Sequence, residues 1–258
     1  MENSAKYRYF LKLAYNGANY NGWQIQNNAP SVQQTINEAL STILQRHINV
    51  VGCGRTDAGV HAKEFYAHFD IDKDISRERG EIVRRLNHFL PKDIGIFNLI
   101  PVTKDAHARF DAVSRSYRYI ITTKKDPFMN DFSYFVHHNL SLKRMNEAAN
   151  ILFNHTDFTS FSKLHTQVKT NNCKILNAGW KEKGNLLVFE ITADRFLRNM
   201  VRAIVGTLLD VGRGKISAED FNAIIESKNR SNAGFSVPAK GLFLMKVQYP
   251  ENMFSLNG

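Results

Sequence analysis

Cysteine is scarce in this 258-residue chain, which holds only Cys53 and Cys173. Two distant thiols are too few for a disulfide framework or a cysteine zinc site, and point to a reducing compartment. Also missing is any apolar run long enough to span a bilayer, and the opening Met1-Glu2-Asn3-Ser4-Ala5-Lys6 has no apolar leader core. A cytoplasmic protein without membrane attachment is expected. There is no Walker-type phosphate loop and no G-x-G-x-x-G after a strand, so nucleotide hydrolysis and dinucleotide redox chemistry lack their usual signatures. Nor is there an RNP-type aromatic motif, which excludes an ordinary RNA recognition motif.

Negative charge is the other shortage. Asp and Glu number 24 against 34 Lys and Arg, a formal charge of +10. Such a balance suits a polyanionic partner, nucleic acid first, although a solvated basic surface produces it too. The length suffices for a substantial core in one large or two small domains.

Periodicity organises the chain. Tyr9, Leu11 and Leu13 alternate with Arg8, Phe10 and Lys12, predicting a half-buried strand over 7–15. Ser31 and Gln34 form a capping box, and Ile36, Leu40, Ile43 and Leu44 at helical spacing predict a helix over 31–47. Strands follow at 48–53 and 64–70, the second alternating Phe65, Ala67 and Phe69 against Tyr66 and His68. Ser76 opens a helix with Ile82, Leu86 and Phe89 on its apolar side, stopped by Pro91, before a strand at 94–100.

The same order recurs downstream. A strand at 116–122 precedes a helix marked by Leu142, Met145, Ala149 and Leu152, then strands at 174–181 and 186–192. A long helix over 195–211, a shorter one capped by Ser217 and Asp220, and a strand at 241–249 complete it. The expected fold is α+β: two tandem ferredoxin-like (βαββαβ) halves, 1–105 and 106–258, with antiparallel sheets joined around a central basic cleft.

Chemistry concentrates in Gly54-Arg55-Thr56-Asp57-Ala58-Gly59-Val60-His61-Ala62, a glycine-punctuated connection between two strands. Loops on a rigid sheet present reactive groups, and Arg55 offers Asp57 a charge partner that keeps it ionised. Asp and Gly are also ordinary turn residues. On the predicted helix over 195–211, Arg195, Arg198 and Arg202 recur at three and four residues beside an apolar stripe, either a solvated face or a phosphate-binding one. Tyr117 and Tyr119 share one side of a strand opposite Arg118, placed either to stack on a base or to pack on a helix. Asp57 and His61 lack a third nearby ligand, so a metal site is not expected.

The nine-residue motif resembles the catalytic motif of the TruA family of tRNA pseudouridine synthases. The similarity continues in Lys12-Leu13-Ala14-Tyr15-Asn16-Gly17, Gly22-Trp23-Gln24, His107-Ala108-Arg109-Phe110, Tyr117-Arg118-Tyr119, Met200-Val201-Arg202 and Gly241-Leu242. It covers nearly the whole chain in order. Departures are Cys53 before the motif and Lys63-Glu64-Phe65-Tyr66 after it.

The resemblance implies a homodimer that isomerises uridines 38, 39 and 40 in the anticodon stem-loop of tRNA without metal or cofactor. By the same resemblance Asp57 is the essential carboxylate and Arg202 its cationic partner. Tyr117 stacks on the flipped uracil, Leu242 walls the pocket, and Arg55 fills the space the base leaves or binds its phosphate. Arg195 and Arg198 are expected on the RNA backbone. Two other readings are a tRNA-binding protein without catalysis and a metal-dependent nuclease using Asp57 and His61.

Overall fold

The computed structural model describes residues 7–137, 139–163 and 170–254. The leader expectation concerns residues 1–6, outside the described residues. Among the described residues there are nine strands and five α-helices, a mixed α/β architecture in two compact units: Met1–Val113 with Leu244–Gly258, and Ser114–Phe243. No helix among the described residues is long and apolar enough to cross a membrane.

In the first unit, β1 (Tyr7–Tyr15) lies between β3 (His61–Ile71) and β4 (Ile94–Val102), antiparallel to both, and β9 (Leu242–Gln248) joins on the other side of β3. Helices α1 (Val32–Leu44) and α2 (Arg79–Phe89) complete the order strand, helix, strand, strand, helix, strand. Ser31 Oγ accepts the Gln34 N–H at 3.3 Å, a cap worth about 1 kcal/mol, but the Gln34 side chain turns to Glu38, so only half the predicted box forms. Helix α1 stops at Leu44 because Gln45 takes the left-handed conformation, φ 53°.

The strand predicted over 48–53 shrinks to β2 (Val51–Gly52). Side chains of α1 take the intervening amides: Ile48 N–H donates to Ser41 Oγ and Val50 N–H to Asn37 Oδ1, both at 2.9 Å. Helix α2 starts three residues after Ser76, whose amide is held by the Asp74 carboxylate at 2.9 Å, and Phe89 at its end is exposed. The predicted alternation holds in β1 except at Phe10, whereas β3 is buried on both faces from Phe65 to Phe69. Phe10, Tyr66 and His68 on the supposed outer faces are buried too, Phe10 and Tyr66 against Tyr249 and Phe254 and His68 against Phe10 and His107.

The second unit pairs β5 (Ser114–Thr122) with β8 (Leu186–Ala193) and β8 with β7 (Ile175–Lys183), all antiparallel. A short β6 (Tyr134–Phe135), not anticipated from sequence, runs parallel to β5. Helices α3 (Leu142–Ile151) and α5 (Ala218–Glu226) match expectation, and Ser217 with Asp220 forms a complete capping box.

The largest correction concerns the arginine helix. It begins at Met200 as α4 (Met200–Gly212), so Arg195 and Arg198 are not on it and no arginine stripe exists. Asn199 is left-handed at φ 67°, which no helical residue adopts. The preceding backbone spends its hydrogen bonds elsewhere: Arg195 N–H donates to Asp194 Oδ1, and the Arg198 carbonyl accepts from Lys163 N–H at 3.0 Å.

Candidate active site

In the first unit, the loop carrying Asp57 leaves β2 and enters β3 at His61, and the segment just after β1 clamps it. Gly22, at φ 86°, passes so close that a Cβ there would stand 2.2 Å from the Thr56 carbonyl oxygen. That same oxygen accepts the Trp23 N–H at 3.3 Å. Gly17 approaches Val60 as tightly, a Cβ meeting the Val60 carbonyl oxygen at 2.0 Å, and its N–H donates to His61 Nδ1 at 3.1 Å. Gly59 N–H donates to the Tyr20 carbonyl at 3.2 Å.

Side chains finish the clamp. Tyr15 and Thr56 share a buried hydroxyl–hydroxyl bond of 2.8 Å. Trp23 stacks on Phe65 with centroids 4.1 Å apart and lies against Gly52. Burying such an aromatic contributes about 2–3 kcal/mol, which anchors both ends of the loop to the core. Within the loop, Val60 N–H donates to the Asp57 carbonyl at 3.1 Å and Gly59 is left-handed at φ 78°. Asp57 itself is half-buried and Arg55 exposed.

The nine-residue motif therefore divides physically. Thr56, Gly59, Val60 and His61 set the backbone, while Asp57 is the motif's one carboxylate. His61 is buried inside β3 with Nδ1 committed to Gly17. Among the described residues no three His, Cys, Asp or Glu side chains gather as metal ligands.

In the second unit, Tyr117 sits half-buried on β5, its ring edge-on to Phe196 at 5.1 Å. Tyr119, two residues on, is fully buried and donates to the Pro238 carbonyl at 2.8 Å, and burial pushes its phenol pKa far up. Of the two tyrosines, only Tyr117 keeps an accessible ring. Arg118 on the opposite face pairs with Glu190 at 2.7 Å, which holds that carboxyl below its ordinary range.

Arg202 lies in the first turn of α4, half-buried, with Nε donating to the Val237 carbonyl at 2.8 Å while Val237 N–H returns a bond to the Arg202 carbonyl. The 235–237 segment can lie this close because α4 carries Gly206, where a Cβ would meet the Phe235 carbonyl oxygen at 1.8 Å. Gly241 fits likewise against Tyr119 and Ile120, setting the buried Leu242 at the start of β9. Arg195 is half-buried and Arg198 exposed, both in the irregular segment before α4.

Several supports carried no signal of their own in the sequence. Arg230 donates to the Ala233 and Gly234 carbonyls and to Ser236 Oγ, which Asn199 also contacts, fixing the strap that orients Arg202. Tyr15, Gly17 and Gly22 were visible as pieces of the family resemblance, without a role.

Comparison with known proteins adds an independent line. Residues 148–250 match the family model described as tRNA pseudouridine synthase. The chain is 55% identical over 250 residues to tRNA pseudouridine synthase A of Parabacteroides distasonis, covering 96% of this chain and 98% of that one. It is 57% identical over 249 residues to the enzyme of that name from Porphyromonas gingivalis, covering 96% and 99%. Against the Staphylococcus aureus enzyme of that name identity is 36% over 247 residues, covering 95% and 93%.

Proposed function

The chain belongs to the tRNA pseudouridine synthase family and isomerises uridine to pseudouridine in tRNA, and on that premise we propose that Asp57 is its essential carboxylate. The reaction breaks the C1′–N1 bond, turns the uracil and forms a C1′–C5 bond, while the C5 proton leaves and N1 gains one. Atoms and electrons balance within the nucleoside, so the chemistry calls for neither oxidant nor reductant. Asp57 acts either as nucleophile toward the nucleoside or as base at the sugar.

The observation that carries this reading is the clamp on residues 54–62. A loop pinned by two glycine contacts, a buried hydroxyl pair and a stacked tryptophan holds its carboxylate in one place. Positioning of that kind is what covalent or general-base catalysis needs. A protein that only bound RNA would gain nothing from an acid held amid phosphates.

The remaining roles complete the proposal. Arg202, turned by Val237, is the cationic partner of Asp57; Tyr117 stacks on the flipped uracil; Leu242 is the apolar wall that keeps water from the detached base. Arg55 occupies the gap in the stack or binds the local phosphate. Arg195 and Arg198 grip the RNA backbone from the segment before α4. The substrate uridines are those at positions 38, 39 and 40 of the anticodon stem-loop.

The architecture assigned to this activity is two ferredoxin-like halves around a basic cleft, working as a homodimer in the cytoplasm. In a dimer the stem-loop and the elbow of one tRNA can be held by different subunits. Mapping pseudouridine in an unmodified tRNA set after treatment with the protein tests the positional claim. Conversion confined to 38–40 is expected; conversion elsewhere contradicts it.

A further inference from the structure

Phe128 is the most exposed large apolar side chain among the described residues, at 90%. Single exposed hydrophobic residues are common on protein surfaces and mean little. This one differs in standing on a backbone turn that is tied at both ends. It sits in the turn Pro127–Met129, where Asp126 Oδ1 accepts the Phe128 N–H at 2.9 Å and Pro127 fixes the entering backbone. Met129 N–H donates to the Asp126 carbonyl, and the Met129 carbonyl receives Ser133 Oγ at 2.7 Å. Upstream, Thr123 donates through both N–H and Oγ1 to the Asn185 carbonyl in the β7–β8 hairpin. The ring is displayed to solvent from a turn tied at both ends.

Its surroundings are basic. Lys124 and Lys125 precede the turn, and Lys183 lies in the hairpin that Thr123 grips; all three are exposed, and none forms an ion pair with a described residue. Asp126 serves as the turn's cap, and the exposed Asp131 and Glu182 are further acids on the same loop and hairpin. Stable protein–protein contacts surround an aromatic anchor with apolar neighbours and are depleted in lysine. An exposed aromatic ring on a loop and hairpin whose lysines form no ion pair with described residues instead fits a single-stranded nucleic acid, whose bases stack and whose phosphates pair.

We propose that Phe128 is a stacking platform for an unpaired base of the tRNA, with Lys124, Lys125 and Lys183 on the phosphates beside that base. The proposal rests on tRNA being the substrate. The backbone that carries the ring is already ordered, so binding costs the rotamer freedom of one side chain and no loop ordering. Phe128 is none of the residues assigned to chemistry, and its loss is read in binding, not in the isomerisation step.

Phe128→Trp turns the platform into a reporter, since Trp23 and Trp180 are both buried. Unmodified tRNA transcript should quench the emission that Phe128→Trp adds, whereas heparin, a polyanion without bases, should not. Phe128→Leu should weaken tRNA binding about tenfold with the salt slope unchanged. Lys124→Ala with Lys125→Ala should lower that slope by about 1.5.

Absence of quenching, or equal quenching by heparin, overturns the proposal. So does a concentration-dependent self-association lost in Phe128→Leu, which would place the ring between copies of the chain. Turnover is measured in parallel: conversion by wild type with no quench in Phe128→Trp removes only the platform, while a wild type that converts none removes the substrate reading itself.

Discussion

Gly22 lies against Thr56 so closely that a single methyl group would stand 2.2 Å from the Thr56 carbonyl oxygen. The backbone that positions Asp57 therefore depends on the absence of a side chain on a neighbouring segment. Gly22→Ala must also place Ala at φ 86°, a left-handed strain of about 1–2 kcal/mol before any clash. Both effects push the loop outward. A displacement near 1 Å costs about 100-fold in rate, so kcat should fall by roughly that factor alongside a lowered Tm. Wild-type kcat in Gly22→Ala would show that the clamp does not position the carboxylate.

The buried hydroxyl pair makes a second, gentler prediction. Tyr15→Phe leaves the Thr56 hydroxyl without its 2.8 Å partner, at a cost of about 1–2 kcal/mol in unfolding free energy. Because Thr56 precedes Asp57, kcat should drop while KM for tRNA stays within about twofold, as expected when positioning and not binding is lost. Urea unfolding and steady-state kinetics on the same preparation separate the two effects. An unchanged kcat despite the stability loss would assign the pair to folding alone.

Arg202 is oriented by Nε donating to the Val237 carbonyl at 2.8 Å, and its guanidinium carries four further N–H donors in a fixed fork. A lysine offers a compact point charge in place of that rigid fork and cannot span the same two directions. Arg202→Lys should reduce kcat by about 10- to 100-fold with tRNA affinity nearly intact. If affinity falls and kcat holds, Arg202 is a backbone contact and not the carboxylate's partner.

His68 makes stability depend on pH in a definite direction. Its imidazole is pushed down to about 4, first by burial and then by Arg8 and His107, against smaller opposing pulls from Asp70 and Asp111. It must stay neutral because Nδ1 accepts the Ala108 N–H at 3.1 Å. In the unfolded chain the ring titrates near 6.5, so between about 6.5 and 4 the unfolded state binds more protons. Stability from this group is complete above about pH 6.5 and declines as pH falls toward 4, by at most about 1.4 kcal/mol per pH unit. Urea midpoints from pH 7 to 5 should show that decline, flattened in His68→Asn. An identical slope in the variant would assign it to other groups.

Much of this was legible in the sequence because it is local. The alternation in β1, the Ser31 cap, the Ser217–Asp220 box and the spacing of α3 each depend on residues a few positions apart. The Asp57 motif was legible for the same reason.

What escaped depended on distant partners. Arg195 and Arg198 read as helical until Lys163 and Asp194 are seen taking the backbone bonds of that segment. Tyr66 and His68 look like an outer face because no sequence pattern reveals that Tyr249, Phe10 and His107 cover them. No spacing relates Gly22 to Thr56 or Arg230 to the strap over Arg202, since folding alone makes them neighbours.

The role of Asp57 is tested most directly by tritium release from C5 of uracil in unmodified tRNA, with chelator present, for wild type and Asp57→Ala at matched tRNA occupancy. The account predicts steady release by wild type and none by Asp57→Ala, whose tRNA affinity stays within a few-fold of wild type. Release by Asp57→Ala at a wild-type rate would contradict it and move the chemistry to another group.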